Sequence, residues 1–313
     1  MMKNNWIKKG CIYKVDGSQL WNKTHSQVPV VDIISSNRLR IYYATRDEDG
    51  RSGTSFIEVN SENPQQIEYV HDRMILELGK TGTFDDSGIM PTCIINKDGI
   101  KYLYYIGWTT RRTVPFSNSI GLAISKDGGK TFSKMFNGPI IGQGPMEPYF
   151  TGTCEVIKLN SQYVAYYLSC IGWKKINSKF EPFYDLKIAS SENAIDWTLT
   201  GKIAISLEDN EGGIASASVL NLGDYYGMWY SVRGASDYRN NMENSYKIGY
   251  AESLDGFNWE RKKSNVIPLS DNGWDSKMIA YPNVISTGSK FYLFYNGNGF
   301  GETGFGYAEK IIT

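Results

Sequence analysis

The sequence predicts an all-β fold, a five-bladed β-propeller with four antiparallel strands per blade, and three observations carry that expectation. Paired aromatics recur at Tyr42-Tyr43, Tyr104-Tyr105, Tyr166-Tyr167, Trp229-Tyr230 and Phe294-Tyr295, with second members spaced 62, 62, 63 and 65 residues apart. A second marker, Pro29, Pro91, Thr153, Ala217 and Pro282, precedes each second aromatic by 13 or 14 residues. Around both markers, short runs rich in Tyr, Val and Ile are bounded by Gly, Asn and Asp, the composition of strands and hairpins. Four-strand units repeating at this period stack radially.

The strands follow in order within each unit. After the proline-type marker comes a short β-rich run (VVDII, TCII, CEVI, SVL and NVI), then a polar or glycine-containing turn such as Asn96-Lys97-Asp98-Gly99. The aromatic strand is second (LRIYYA, KYLYYIGW, YVAYYLS, YYGMWYS, KFYLFYN), and SIGLAIS, DLKIASS, KIGYAES and GFGYAEK mark the third. The last unit ends soon after its third strand, at Thr313. The segment from Trp6 to Val15 is therefore the expected fourth strand that closes the ring. Residues 1–313 read as one domain.

Bulk composition excludes several functions. Lys plus Arg and Asp plus Glu are 33 each, so the formal net charge is zero. No basic block offers a nucleic-acid surface, and no apolar run approaches the length of a membrane span. MMKNNWIKKGCIYKV lacks a signal-peptide core, and Cys11, Cys93, Cys154 and Cys170 show no metal-binding or disulfide spacing. The expectation is a cytoplasmic protein with reduced thiols, no cofactor and no metal centre.

Topology sorts the loops. In a propeller, the loop entering the first strand and the loop joining the second and third strands share a face. On that face the sequence predicts long loops at 109–118, 174–184 and 234–245, and long loops on a rigid scaffold carry function. Stepping back six positions from the proline-type marker gives Lys23, Asp85, Glu147, Glu211 and Ser276. Three successive units thus present a carboxylate at one register, with Asp86 beside Asp85 and Asp275 beside Ser276. Converging carboxylates raise one another's pKa, which is how glycosidases set an acid beside a base or nucleophile. Asp85 is the candidate base or nucleophile and Glu147 or Glu211 the acid. The alternative is that all three cap loops or hold neighbouring Arg and Lys.

Three residues after each second aromatic stand Arg46, Trp108, Cys170, Arg233 and Asn298, with Trp173 nearby. Aromatics stack on sugar rings, and Arg forks grip carboxylates or phosphates. Arg233 and Arg239 are the expected anion holders, and Tyr238, Asp86, Asp275 and Gln27 complete the binding set. His25, in HSQVP, is open to three roles: general base, hydrogen-bond donor to substrate, or loop cap.

Two resemblances extend this. Ser125-Lys-Asp127-Gly-Gly129-Lys-Thr131-Phe132 is similar to the Asp-box of sialidase propellers, with shortened versions at Ser191-x-Asn193…Trp197 and Ser253-x-Asp255…Trp259. These are structural turns whose aromatic packs between blades. Over nearly the whole chain, FDDSGIMP (84–91), YLYYIGW (102–108), GWDSKMIAYP (273–282) and YNGNGFGETGFGYA (295–308) make the sequence resemble the arabinanase/levansucrase/invertase superfamily of glycoside-processing propellers. Within it, the chain looks closest to bacterial propeller proteins of surface-polysaccharide and nucleotide-sugar gene clusters. The resemblance implies a glycoside hydrolase-like enzyme acting on a sugar, glycan or nucleotide-sugar ligand, or a non-catalytic carbohydrate-binding propeller. The chain departs from the superfamily where its first unit reads HSQVP, with no aspartate before the proline.

Overall fold

The computed structural model describes residues 6–263 and 266–311. After an N-terminal strand β1 (Ile7–Tyr13), four meanders follow in chain order. The first unit is β2 (Thr24–Ser35), β3 (Arg38–Arg46), β4 (Ser52–Asn60) and β5 (Ile67–Val70). The second is β6 (Gly88–Lys97), β7 (Ile100–Thr110), β8 (Phe116–Ser125) and β9 (Ser133–Lys134). The third is β10 (Thr151–Leu159), β11 (Gln162–Ile176), β12 (Lys179–Ser191) and β13 (Thr198–Ile205). The fourth is β14 (Glu211–Asn221), β15 (Tyr226–Gly234), β16 (Lys247–Ser253) and β17 (Glu260–Lys262). The last three strands are β18 (Ala280–Ser286), β19 (Lys290–Asn296) and β20 (Phe305–Ile311). In each of the first four units the strands pair antiparallel in sequence order, and β1 pairs with β20 to complete the fifth. The N-terminal strand therefore pairs with the last strand, as the sequence pattern expects.

The first strands β2, β6, β10, β14 and β18 touch one another in turn, and β18 returns to β2. Side chains sew these neighbours together: Thr92 Oγ1 donates to the Cys154 carbonyl, the Ser216 amide donates to Thr153 Oγ1, the Val284 amide to Ser218 Oγ, and the Val31 amide to Asn283 Oδ1. A register shift interrupts every first strand at the proline-type marker. In three units it carries a non-glycine residue in the left-handed region, Val28, Ser216 and Tyr281 at φ 54°, 54° and 55°. Such bulges re-aim side chains.

Cohesion between units comes from the first aromatic of each pair. Tyr42, Tyr104 and Tyr166 are fully buried, and each hydroxyl donates to a carbonyl in the Asp-box-like turn of the next unit, at Gly129, Ala194 and Gly256. Each ring also meets that turn's aromatic edge-on, at Phe132, Trp197 and Trp259. Within the turns, Asp127, Asn193 and Asp255 accept hydrogen bonds from backbone amides. Trp229 meets Trp6 in the same T-shaped manner, so the N-terminal segment supplies the fourth contact.

One expected loop is not a loop. Residues 174–184 belong to a long β11–β12 hairpin that turns at Asn177-Ser178, both at positive φ (48° and 68°). Such two-residue turns match the twist of paired strands, so the alternating flanks continue the ladder. Likewise only residues 111–115 separate β7 from β8. The connection at 235–246 is the one that remains a true loop.

Candidate functional site

Each of the three carboxylates aligned by the repeat is held by partners in its own unit. Asp85 is almost wholly buried; it accepts hydrogen bonds from Tyr105 Oη (3.0 Å) and Thr83 Oγ1 (2.9 Å) and pairs with Lys134 Nζ at 2.6 Å. Glu147 is equally buried, bonded by Tyr167 Oη (2.8 Å) and Ser169 Oγ (2.5 Å) and paired with Lys187 Nζ at 3.0 Å. Asp275 repeats the theme with Tyr295 Oη at 2.9 Å and Lys8 Nζ at 2.7 Å. Glu211 pairs with Arg261, whose guanidinium lies over the Tyr230 ring. The second aromatic of the pair thus plays the same part in three units, its hydroxyl satisfied by an acid 20 residues upstream. Lys134, Arg261 and Lys8 stand on β9, β17 and β1, the outermost strands of their units. Asp85, Glu211 and Asp275 are thus paired with outermost strands and Glu147 with the third strand β12, and none of the three expected carboxylates is among the lining of the cavity described next. Asp275 rather than Ser276 holds the equivalent place in the fifth unit.

What does gather at the axis is a cavity of about 490 Å³ to which all five units contribute. Gln27, Arg46, Trp108, Tyr238 and Arg239, all expected from the sequence, line it. So do Phe116, Phe150, Tyr184, Tyr246, Tyr281 and Phe300, which the sequence expectations omitted. Tyr184 and Tyr246 share one repeat position, directly before the third-strand runs DLKIASS and KIGYAES, and the other omitted residues stand beside the marker bulge or at loop mouths. A signal was present for Tyr281, which directly precedes the Pro282 marker. No Asp or Glu is among the lining residues.

The walls are built locally. Gly88 lets Trp108 lie across β6: a Cβ there would fall 2.0 Å from the indole Nε1, which donates to Ser52 Oγ at 3.0 Å. Trp173 packs behind the wall against Phe116 and Phe150, with ring centroids 5.4 and 5.6 Å away. Arg233 is buried beneath the pocket, donating to Tyr184 Oη at 2.9 Å and to the carbonyls of Pro182 and Gly234. Its guanidinium also stacks on Tyr238 at 3.9 Å. Burial opposes its charge, and the surrounding tyrosines more than restore it. Arg239 stacks on Tyr238 and pairs with Glu181, which also accepts from Tyr238 Oη at 2.9 Å. Tyr184 and Tyr246 share a hydroxyl–hydroxyl hydrogen bond.

Arg46 differs from the other two arginines. Its Nε is buried without a hydrogen-bond partner, and no carboxylate pairs with it among the described residues. Burial lowers its pKa, opposed by Tyr281 and Glu302. His25, at φ 65°, bonds Thr24 Oγ1 through Nδ1; burial and then Arg46 push its pKa down to about 4, so it is neutral near pH 7. Asp86 holds its own turn by accepting from the Gly82 amide and Ser87 Oγ. Asn298 accepts from the Lys277 and Met278 amides and lines an adjoining cleft of about 400 Å³ that shares Arg239. Among the described residues no three His, Cys, Asp or Glu side chains cluster as metal ligands, and the four cysteines are free. Among the described residues no helix is long and apolar enough to cross a membrane.

The fold and its axial pocket define a β-propeller of the kind found in glycoside hydrolases. A solved structure described as a glycoside hydrolase superposes with a TM-score of 0.73 at 17% identity, covering 98% of this chain and 93% of the other. A complex of BT0996 with RGII gives 0.72 at 18%, covering 98% and 92%. A thermostable family-43 glycoside hydrolase gives 0.65 at 17%, covering 93% and 90%. The chain belongs to one family with two Mycobacterium tuberculosis proteins. Uncharacterized protein MT1551 (strain CDC 1551) is 31% identical over 306 residues, and Uncharacterized protein Rv1502 (strain H37Rv) is 30% identical over 305; each match covers 97% of this chain and 98% of the relative. No family model matches the chain.

Proposed function

We propose that the five units are the blades of a single five-bladed propeller domain over residues 1–313, and that it recognises a sugar or glycan in the axial pocket. This is a glycoside hydrolase-like role. The observation that carries it is the pocket wall: Trp108, Tyr184, Tyr238, Tyr246 and Tyr281 from four units face one cavity, with Gln27, Arg46 and Asn118 as its polar points. Aromatic faces with a few placed polar groups suit sugar rings. The glycan named for the BT0996 complex, on a neighbour of the same fold, supports a ligand of this class. The proposed surface-glycan or nucleotide-sugar setting rests on the sequence resemblance.

Recognition is favoured over cleavage by Asp85, Glu147 and Glu211. Paired-carboxylate hydrolysis needs two carboxyl groups flanking the bond at roughly 5–10 Å, and all three are engaged in ion pairs within their own units. One observation favours a hydrolytic reading. Asp185 is buried near Glu147 and Lys187, and burial first, with Glu147 adding, raises its pKa to about 6. A carboxyl whose pKa is raised beside a second carboxyl is a glycosidase arrangement.

The test is a glycan array followed by calorimetric titration of the best binder, with Trp108→Ala as the probe. Binding that is lost in the variant at an unchanged melting temperature is expected. Absence of any saccharide ligand, or binding indifferent to Trp108, would overturn the proposal. Release of reducing ends by wild type and its loss in Asp185→Asn would replace recognition with hydrolysis.

A further inference from the structure

Three arginines reach the axial region, and two have their hydrogen-bonding capacity committed. Arg233 is spent on Tyr184 and two carbonyls, and Arg239 on Glu181. Arg46 lines the same cavity with a buried Nε that bonds nothing. An unsatisfied buried donor on a charged group is costly, so its retention calls for an acceptor that arrives from outside. Tyr281 is close enough to influence the Arg46 charge, and its strained φ of 55° belongs to the bulge that sets its ring at the pocket. Neutral His25 stands beside the same guanidinium and adds no charge near pH 7.

The surroundings reinforce the sign. No carboxylate lines the axial pocket. The adjoining cleft carries Lys14, Arg239 and Lys277 against the single carboxylate of Glu302. Neither Lys14 nor Lys277 forms a side-chain ion pair among the described residues. Clefts lined by one sign of charge concentrate ligands of the other.

We infer that the sugar recognised in the axial pocket is an acidic one, and that Arg46 receives its anionic substituent, a carboxylate or a phosphate ester. The inference rests on the sugar-binding reading above and adds the charge of the ligand to it. Arg suits this role because its planar fork meets two oxygens at once. Arg233, which the sequence also suggests for this role, instead braces the pocket floor.

The experiment titrates the wild-type chain with D-glucuronate, D-galacturonate, glucose 1-phosphate and the neutral parents D-glucose and D-galactose. Saturation-transfer NMR is the readout, with Arg46→Met and Arg46→Lys as variants. Acidic sugars should bind at least tenfold more tightly than their neutral parents, with a preference that shrinks as salt rises. Arg46→Met should weaken the acidic ligands roughly tenfold to a hundredfold, as expected for loss of a charge-assisted contact, and neutral sugars by a much smaller factor. Arg46→Lys should recover part of the loss. The two histidines supply an independent readout: a bound anion beside Arg46 raises the His25 titration midpoint and leaves His71 in place.

Uronates binding better than the phosphate identify a carboxylate ligand, and the reverse order a phosphate ester. Equal affinity for acidic and neutral sugars, or acidic binding unchanged in Arg46→Met, overturns the inference while leaving a sugar pocket intact. If no sugar of either kind binds and His25 does not respond, both this inference and the sugar reading fail.

Discussion

Replacing Asp85 separates a structural carboxylate from a chemical one. In the wild type its two oxygens serve Tyr105, Thr83 and Lys134, and Tyr105 is itself fully buried. Asp85→Ala strands the tyrosine hydroxyl, a cost of about 1–3 kcal/mol for an unsatisfied buried group. It also removes the partner of Lys134. A fully buried ion pair broken on one side costs roughly 3–5 kcal/mol. Lys134, however, retains 20% side-chain exposure and can turn to water, which lowers that share. A total near 3 kcal/mol follows. With an unfolding entropy of about 2.1 cal/mol/K per residue, a chain of this length loses roughly 4–5 °C in melting temperature. Asp85→Asn keeps an acceptor for Tyr105 and should lose about half as much. Lys134→Met alone should cost less than Asp85→Ala, and the double variant should cost less than the two singles together. Calorimetric melts of the four proteins measure this, alongside saccharide titration, which should stay at wild-type affinity. An Asp85→Asn protein that melts like wild type yet loses ligand processing would refute the structural assignment and restore Asp85 to the chemistry.

Two further outcomes follow from the same geometry. Asp185 titrates near 6 in the folded chain against an ordinary 3.8. The native state therefore holds the extra proton, and stability falls as pH rises from about 4 through 6. Asp185→Asn should gain up to about 3 kcal/mol at pH 7.5 and nearly nothing at pH 4; equal melting shifts at both pH values would contradict this. Gly88→Ala places a methyl against the Trp108 indole and the Ser52 amide, the latter at 2.8 Å. Turning the indole off the pocket should reduce saccharide affinity about tenfold or more, at a stability cost of roughly 1–3 kcal/mol for overpacking. Unchanged affinity would show that Trp108 does not contact the ligand.

The strand repeat, the pairing of the N-terminal strand with the last unit and the Asp-box-like turns were legible in the sequence. Each is written in local chemistry that recurs at a fixed period: Tyr42, Tyr104 and Tyr166 meet the next unit's turn because every unit presents the same faces. Even the equivalence of Asp85 and Glu147 was legible. Their direction was not, because a shared register says that two side chains are alike and not which way they point. That was decided by Lys134, Lys187 and the Tyr105 and Tyr167 hydroxyls, which lie 20 to 49 residues along the chain and meet the acids only once the sheets form. The pocket is likewise a tertiary product. Of Phe150, Tyr184, Tyr246, Tyr281 and Phe300 only Tyr184 and Tyr246 share a place in the repeat, and only the ring of first strands brings all five to one axis. The vacant bonding capacity of Arg46 could be seen only there, since a residue three places after an aromatic pair looks the same whether its guanidinium is satisfied or not.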